Sequence, residues 1–477
     1  KIPGKENAFC IVGLRAGLGE GGGHGWLLAQ QIVHGEACYD TWGLDPRRFT
    51  SHANVEMTSL KAIEDYQNEF RFHFPHEHRP AARNAKTTPL TPLMDSENAA
   101  FTVINGWERV EYIKPSKDFQ PSLSFHFDET FEIVAKEVKN IQNNVGLTEV
   151  NGFNRFEISG PDADTFIDRM FCGNITHKPS RIGLGYLLND FGMIKSEATI
   201  SNIPSSDRGP NRIWYGSAAA SEFHDMDWLK QHLKDDEEVT IKSLTNDQTI
   251  LLLAGPKARD VLSRCSREDW SKEAFPWLSV RECFIGFSPA TVMSVSFSGE
   301  LAYEVHIPNS FLYAAYLTIS NAGKGFGMKL FGSRAVESMR MEKGFLAWKS
   351  DLLTEFDPYE TGLDRFVNLN KDNFIGKKAL QNRFKDGMKQ KLVCLKIDSK
   401  NSPAYGGASL IEDDKVIGTI TSGEWGHRVN LNLAYAFVNL DKSIEGTRMM
   451  LDLLGEMISV EVIPFGIYDP SYSRILA

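Results

Sequence analysis

The stretch Ser296-Phe297-Ser298-Gly299-Glu300-Leu301-Ala302-Tyr303-Glu304 says more about the fold than any other part of this 477-residue chain. Serine and glycine at its centre favour a tight turn, and the residues on either side favour strands, so it predicts a strand-turn-strand that ends in the carboxylate of Glu304. Taken alone, the stretch also fits an ordinary hairpin with solvated Glu300 and Glu304. Other segments of the chain decide between these interpretations.

A second informative segment is Met339-Arg340-Met341-Glu342-Lys343-Gly344-Phe345. Together the two segments resemble the folate-binding signature of the glycine-cleavage T-protein (aminomethyltransferase) family. The resemblance implies that Glu304 binds a pterin ring. The chemistry suits this role, because a pterin edge shows adjacent N–H donors that a carboxylate accepts as charge-assisted hydrogen bonds. Tetrahydrofolate is therefore the cofactor that the resemblance implies.

Other segments resemble the same family and follow its order. No single one decides the assignment, but the shared order and the compatible spacings support it strongly. These segments are Thr91-Pro92-Leu93, Gly106-Trp107-Glu108, 156–163, 186–197, 253–258, 357–363 and 373–380.

The amino-terminal segment contains Gly17-Leu18-Gly19-Glu20-Gly21-Gly22, which satisfies the dinucleotide pattern G-x-G-x-x-G. It follows the strand-like residues 9–12 and precedes the helical residues 26–33. A dinucleotide fold requires a second parallel strand after that helix, whereas residues 39–49 indicate an irregular loop with Gly43 and Pro46. The dinucleotide interpretation is therefore the weaker one.

Residues 13–49 resemble the last strand and helix of the flavin domain in dimethylglycine and sarcosine dehydrogenases. The resemblance implies that Gly22 and Gly23 let the backbone and the positive end of a helix approach a flavin. The unit that would open such a flavin domain does not occur in this sequence. FAD is thus expected only if a flavin-domain half is present, either on a longer chain or on a separate flavoprotein subunit.

The coarse pattern predicts an α+β fold. Short alternating strands mix with helices near 164–171, 226–233 and 334–343, and from Leu392 onwards the pattern contains only strands, which predicts a small β-barrel. We expect a tail of a flavin-domain-like segment with its connector at 1–87, a folate-binding aminomethyltransferase-like domain at 88–390 and the barrel at 391–477.

Composition limits the partners of the protein. A formal net charge of −10 argues against binding nucleic acid, and no apolar run approaches the length of a membrane helix. The six cysteines are far apart, which indicates a reducing compartment, either the cytoplasm or, in a eukaryote, the mitochondrial matrix. An oligomer is compatible with these observations.

The resemblance implies four further site residues. Glu197 stands where the family usually has Asp. The resemblance implies that its carboxylate orients the folate and moves a proton. The alternative is an exposed glutamate on an edge strand beside Lys195. Tyr186 matches a tyrosine near the folate, or is a core tyrosine. The resemblance implies that Arg340 lies in the folate pocket. The alternative is that Arg340 forms a surface salt bridge to Glu337. Phe297 replaces the family's tyrosine and keeps only the ability to stack.

Two other constellations receive little support. The run His73-Phe74-Pro75-His76-Glu77-His78 is dense in metal-ligand residues, but its proline and the lack of a carboxylate pattern favour a polar loop, so we expect no metal. The sequence lacks a G-x-S-x-G motif, so a hydrolase has no support either.

The resemblance leaves three functions open. The first is tetrahydrofolate-dependent one-carbon transfer from an N-methylated amine such as dimethylglycine or sarcosine, as the folate half of a flavin-linked demethylating dehydrogenase. The second is a stand-alone folate-dependent demethylase of a methylated amine or sulfonium. The third is a non-catalytic relative, like the regulatory subunit of pyruvate dehydrogenase phosphatase. In the first two, the partner is a methylated small molecule.

Overall fold

The computed structural model of the protein describes residues 1–5, 7–14, 17–204 and 212–477. The amino-terminal segment contains helices α1 (Leu18–His34) and α2 (Val55–Gln67), separated by short 3-10 turns. Within the described residues the first strand begins only at Ala99.

The glycine-rich motif of this segment is helical. The expected strand at residues 9–12 does not form, and the motif from Gly17 enters α1 instead of forming a turn. Gly17 supplies the positive φ of 55° at the helix start, and the apolar residues from Trp26 onwards continue the helix. Because neither flanking strand is present, the structure contradicts the dinucleotide interpretation.

The central region mixes helices and strands, as the α+β pattern predicts. Its elements, in chain order, are α3 (Thr91–Ser96), β1 (Ala99–Ile104), β2 (Trp107–Ile113), α4 (Thr130–Asn143), β3 (Val145–Val150), β4 (Phe153–Ser159), α5 (Ala163–Met170), β5 (Ile182–Leu188), β6 (Ile194–Ile203), β7 (Arg212–Ala219), α6 (Glu222–Gln231), β8 (Thr240–Ser243), β9 (Gln248–Ala254), α7 (Ala258–Cys265), β10 (Val280–Ile285), β11 (Ser288–Met293), β12 (Ala302–Pro308), α8 (Leu312–Gly323), β13 (Met328–Leu330), α9 (Ser333–Lys343) and α10 (Lys377–Asp386).

Two large sheets form the centre of the molecule. A six-stranded sheet has the order β10-β11-β12-β9-β3-β13, and a five-stranded sheet has the order β5-β6-β7-β4-β8. All pairs are antiparallel except β13 with β3. Strands β1 and β2 form a separate ribbon.

Strand β12 separates two environments, because successive side chains of a strand point to opposite faces. Tyr303, Val305 and Ile307 are fully buried in the core that includes residues of α7 and α8. On the other face, Ala302 packs in a cluster with residues of α4 and α9. Glu304 shares this second face, where a charged group would be costly unless it had a partner or a route to solvent.

The carboxyl-terminal region is a closed six-stranded barrel, which confirms the predicted fold class. The strands are ordered β14-β17-β16-β15-β18-β19 around it, and apolar side chains fill the interior. Their bounds are β14 (Gln390–Ile397), β15 (Ser409–Glu412), β16 (Lys415–Gly426), β17 (Leu431–Asn439), β18 (Arg448–Leu453) and β19 (Glu456–Ile463). Among the described residues, no helix combines the length and the apolar character that crossing a membrane requires.

A buried ionic network joins the barrel to the central region. Arg428, between β16 and β17, donates to Glu300 at 2.7 Å and also binds Glu342 of α9. Its side chain is 0% exposed. Glu300 also accepts from the Tyr468 hydroxyl at 2.7 Å and from Arg474. The loop before β12, helix α9 and the barrel are therefore held at one point.

Replacing Arg428 with methionine should lower the free energy of unfolding by about 3–5 kcal/mol, because Glu300 and Glu342 would stay buried without this counter-charge. Urea titration followed by tryptophan fluorescence measures the change. Arg448→Met is the matched control, since Arg448 is 70% exposed in its pair with Glu461 and should contribute little. Equal stability of the two variants would show that the network does not stabilise the fold.

Candidate functional site

Glu304 lies where the covered face of β12 opens to solvent. Its side chain is 33% exposed, and Oε2 accepts a hydrogen bond of 3.1 Å from Nε2 of His306. In the part of the chain that the structure describes, Oε1 has no protein partner. Glu304 is therefore a carboxylate with one oxygen anchored and one available for a ligand.

The loop before β12 presents an aromatic pair beside this strand. Phe297 is 39% exposed and stacks on Phe345 with ring centroids 5.8 Å apart and an interplanar angle of 13°. Gly299 makes the tight turn with a φ of 78°, and Ser296 Oγ accepts from its N–H. Phe297, which carries no hydroxyl, thus offers a stacking surface.

Glu197 and Tyr186 form a second candidate centre on the five-stranded sheet. They are directly paired across β5 and β6, and the Tyr186 hydroxyl donates to Glu197 Oε2 at 2.6 Å. Strand β6 lies between β5 and β7, so Glu197 is not on an edge strand. A bulge leaves Lys195 without a paired residue on β5, and the pairing beyond the bulge places Glu197 directly opposite Tyr186.

The surroundings of Glu197 suit proton transfer. The side chain is only partly exposed, and burial raises the pKa of Glu197 to about 7, although the hydrogen bond from Tyr186 acts in the opposite direction. Burial and the nearby charge of Glu197 raise the pKa of Tyr186, which keeps its proton. Glu197 can therefore take up or release a proton near neutral pH.

Two sets of contacts connect the centres. Phe345 stacks on Phe297, and the next residue, Leu346, packs against the cluster that contains Tyr186. On the other side, Arg155 of β4 donates to His306 of β12 at 2.9 Å. These contacts therefore join the sheet that carries Glu197 to the sheet that carries Glu304.

Arg340, predicted to line the folate pocket, is engaged inside the protein. Its side chain is 1% exposed, and it forms the ion pair with Glu337 that the alternative interpretation expected, with the arginine buried and Glu337 partly exposed. Its guanidinium donates to Glu337, to Asp351 at 3.0 Å, to Ser422 at 3.0 Å and to the carbonyl of Phe345 at 3.0 Å. These contacts use all five donors, so Arg340 shapes the segment around Phe345 and has no donor left for a ligand.

Gly22 and Gly23 lie on exposed positions of α1, far along the chain from both centres. A methyl group added at either position would meet no atom within 4 Å. Nothing in the described part of the chain requires glycine there. Their contact with a flavin stays a prediction.

The histidine-rich loop meets a carboxylate that the sequence did not indicate. His76 and His78 contact the two oxygens of Glu111 at 3.2 and 2.8 Å. Despite burial, these contacts lower the pKa of Glu111 to about 2. Within the described ranges, no group of three or more His, Cys, Asp or Glu residues has a metal-binding arrangement.

Sequence reasoning missed three members of these centres. His306 is two residues after Glu304 and thus on the same strand face, a signal that alternation alone provides. Phe345 closes the Met339–Phe345 segment, but its stacking on Phe297 is not visible in the sequence. Arg155 is 151 residues from His306, and no local pattern joins them.

Comparison with known families accounts for nearly the whole chain. The GCVT N-terminal domain matches residues 90–371, and the glycine cleavage T-protein C-terminal barrel domain matches residues 390–469. The FAD dependent oxidoreductase central domain matches residues 34–88.

Several longer proteins are similar to this chain. Mitochondrial dimethylglycine dehydrogenase of Homo sapiens is 31% identical over 99% of this chain and 54% of its own length. Mitochondrial sarcosine dehydrogenase of Mus musculus is 26% identical over 96% of this chain and 55% of its own length. The mitochondrial pyruvate dehydrogenase phosphatase regulatory subunit of Mus musculus is 27% identical over 92% and 51%. The chain thus spans about half the length of these relatives.

A solved structure has the same fold. The glycine cleavage system aminomethyltransferase T from Bartonella henselae superposes with a TM-score of 0.69 and 21% identity, over 80% of this chain and 98% of that one. The domain match from residue 90 to 371 covers more than half of the 477 residues. The chain therefore belongs to the glycine-cleavage T-protein (GCVT) family, with a segment of an FAD-dependent oxidoreductase central domain before it.

Proposed function

We propose that this chain carries out tetrahydrofolate-dependent one-carbon transfer from an N-methylated amine such as dimethylglycine or sarcosine, as the folate half of a flavin-linked demethylating dehydrogenase. The observation that carries the proposal is Glu304. Its carboxylate is anchored through one oxygen and partly exposed, and the loop that leads into the same strand carries Phe297, which stacks on Phe345.

The residues present fit a reduced folate. A pterin has an edge of N–H donors and a planar ring, and this centre offers an ionisable acceptor and an aromatic surface. When bound, tetrahydrofolate would supply the nitrogens that accept the one-carbon unit. Glu304 would bind the pterin edge, and Phe297 would contribute a stacking contact.

Glu197 would move the proton. A general acid or base works best when its pKa lies near the working pH, and burial raises the pKa of Glu197 to about 7. Tyr186 holds one carboxylate oxygen and thereby limits the orientation of the group. A carboxylate whose pKa is raised by burial is typical of a catalytic site.

The methylated amine would be oxidised by a flavoprotein half. Large apolar side chains with high exposure are concentrated in the amino-terminal segment, as in Val12, Leu18, Val33, Phe70 and Phe72. Such a surface indicates an interaction site. The match of residues 34–88 to an oxidoreductase domain, and the greater length of the dehydrogenase relatives, support a flavin domain as the partner.

A second candidate is a regulatory protein without catalytic activity. The similarity to the pyruvate dehydrogenase phosphatase regulatory subunit favours it. The paired Tyr186 and Glu197, with the raised pKa of the glutamate, favour the enzyme. A stand-alone demethylase of a methylated amine or sulfonium differs from the first proposal in needing no flavoprotein half and in the wider class of substrate.

Replacing Glu304 with glutamine should weaken tetrahydrofolate binding by about 2–4 kcal/mol, because the variant loses the charged acceptor for the N–H edge of the pterin. Anaerobic titration calorimetry measures the affinity. Glu456→Gln, at an exposed position of the barrel, is the control and should bind like the parent. Parent-like binding by Glu304→Gln would remove Glu304 from the site, and a parent that binds no tetrahydrofolate would favour the regulatory protein.

Replacing Glu197 with glutamine should leave tetrahydrofolate affinity within a few-fold and slow one-carbon transfer about a hundredfold or more, because the amide cannot transfer the proton. The measurement is the rate of methylenetetrahydrofolate formation in the complex with the flavoprotein half. Glu456→Gln again serves as the control. An unchanged rate would exclude Glu197 from the mechanism.

Glu197 should also give the protein a characteristic pH dependence of stability. Its pKa in the folded state, about 7, lies above the ordinary 4.5, so the folded protein binds the proton more tightly and loses stability as pH rises between these values. Glu197→Gln should abolish this loss and be about 1–3 kcal/mol more stable than the parent above pH 7. Urea titrations between pH 5 and pH 8 measure the difference. A difference that does not change with pH would contradict the raised pKa.

The purified chain should hold no stoichiometric flavin, because a dinucleotide is gripped chiefly at its pyrophosphate by a glycine-rich turn after a strand, and here the glycines are helical. Mixing with the flavoprotein half should restore amine oxidation. Val33→Glu and Phe72→Glu should weaken that association, whereas Phe287→Glu, at a still more exposed position elsewhere, should not. A yellow flavin spectrum from the chain alone would contradict the partner proposal.

A further inference from the structure

A row of three side chains runs from the five-stranded sheet to the candidate pterin carboxylate. Arg155 of β4 donates from Nη1 to Nδ1 of His306 at 2.9 Å, and Nε2 of His306 contacts Glu304 Oε2 at 3.1 Å. We propose that His306 and Arg155 are positioning residues that fix Glu304 for the pterin edge. This inference rests on the proposed function of Glu304.

The geometry determines the protonation state of His306. An arginine offers only donors, so Nδ1 of His306 must accept, and it cannot carry a proton. The ring is then neutral and has its proton on Nε2, which donates it to Glu304. Burial, which lowers the pKa of His306, agrees with the neutral ring. The contact with Arg155 therefore determines which ring nitrogen of His306 donates to Glu304.

A buried cation stands at one end of this row and a carboxylate at the other. Arg155 is 4% exposed, and in the described part of the chain it has no ion pair with a carboxylate. Burial lowers the pKa of Arg155 to about 10, so it keeps its charge at neutral pH, and the negative charge of Glu304 favours this state. His306 thus connects a buried cation to a carboxylate through its ring.

The row also restricts the position of Glu304. The imidazole lies edge-on to Trp214, with centroids 5.7 Å apart and an interplanar angle of 63°, so its ring is held by packing as well as by Arg155. Its N–H binds one oxygen of Glu304 and leaves the other for the pterin. The row would therefore order the carboxylate before the ligand binds, which reduces the entropy lost on binding.

A double-mutant cycle with tetrahydrofolate tests this coupling. His306→Leu should weaken binding about tenfold in the parent and change it less than about twofold in a Glu304→Gln background, since the effect acts through Glu304. His306→Gln, whose amide N–H can still donate to Glu304, should recover binding to within about threefold of the parent. His177→Leu is the control, because His177 lies at an exposed position next to α5.

Two results would overturn the inference. One is parent-like affinity of His306→Leu. The other is an equal loss in both backgrounds, which a merely structural role would produce. Thermal midpoints of all variants show whether they are folded, and the His306→Gln variant decides the question even if leucine at 306 destabilises the protein.

Histidine-ring nitrogen NMR tests the row without any folate. The signal that disappears in His306→Gln should show a protonated Nε2 and an unprotonated Nδ1, and Arg155→Met, which removes the donor at Nδ1, should let this ring take up a second proton at a higher pH than in the parent. A protonated Nδ1 in the parent would overturn the inference. If the tautomer is as expected but the parent binds no tetrahydrofolate, the proposed function fails while the ordering of Glu304 by His306 stands.

Discussion

The buried contact of Arg428 with Glu300 and Glu342 is the constraint on which the candidate site depends. Glu300 belongs to the loop that leads into β12, and Glu342 belongs to α9. A fully buried arginine cannot lose one of its carboxylates without a large cost, so the loop, the helix and the barrel must keep their relative positions. The barrel thus supports the strand that carries Glu304, although it contributes no residue to the predicted site.

The two candidate carboxylates differ in environment, and the difference suits two roles. Glu304 is partly exposed and receives an N–H from His306. Glu197 lies on an inner strand with one hydrogen bond from Tyr186, and burial raises its pKa to about 7. In the proposed function, this difference in environment would separate the group that binds the pterin from the group that transfers the proton.

The positively charged residues of the site act on other protein groups. Arg340 uses its donors on Glu337, Asp351, Ser422 and Phe345, and so holds the segment that stacks on Phe297. Arg155 reaches Glu304 only through His306. Both arginines are buried, where a guanidinium held by several hydrogen bonds orders its neighbours at the cost of desolvation.

The sequence by itself determined the α+β class, the terminal barrel and the family, because alternation, helical periodicity and the order of short motifs are local properties that survive without knowledge of contacts. It placed Glu304 and Glu197 in strands for the same reason. The local pattern was wrong at one place: the glycines from Gly17 fit a turn by sequence, but in the structure they form part of helix α1. Only the tertiary structure decided that Arg340 is saturated, that Glu197 is on an inner strand, and that Arg155 meets His306 from 151 residues away. Such pairings depend on how sheets pack in space, and no periodicity in the chain encodes them.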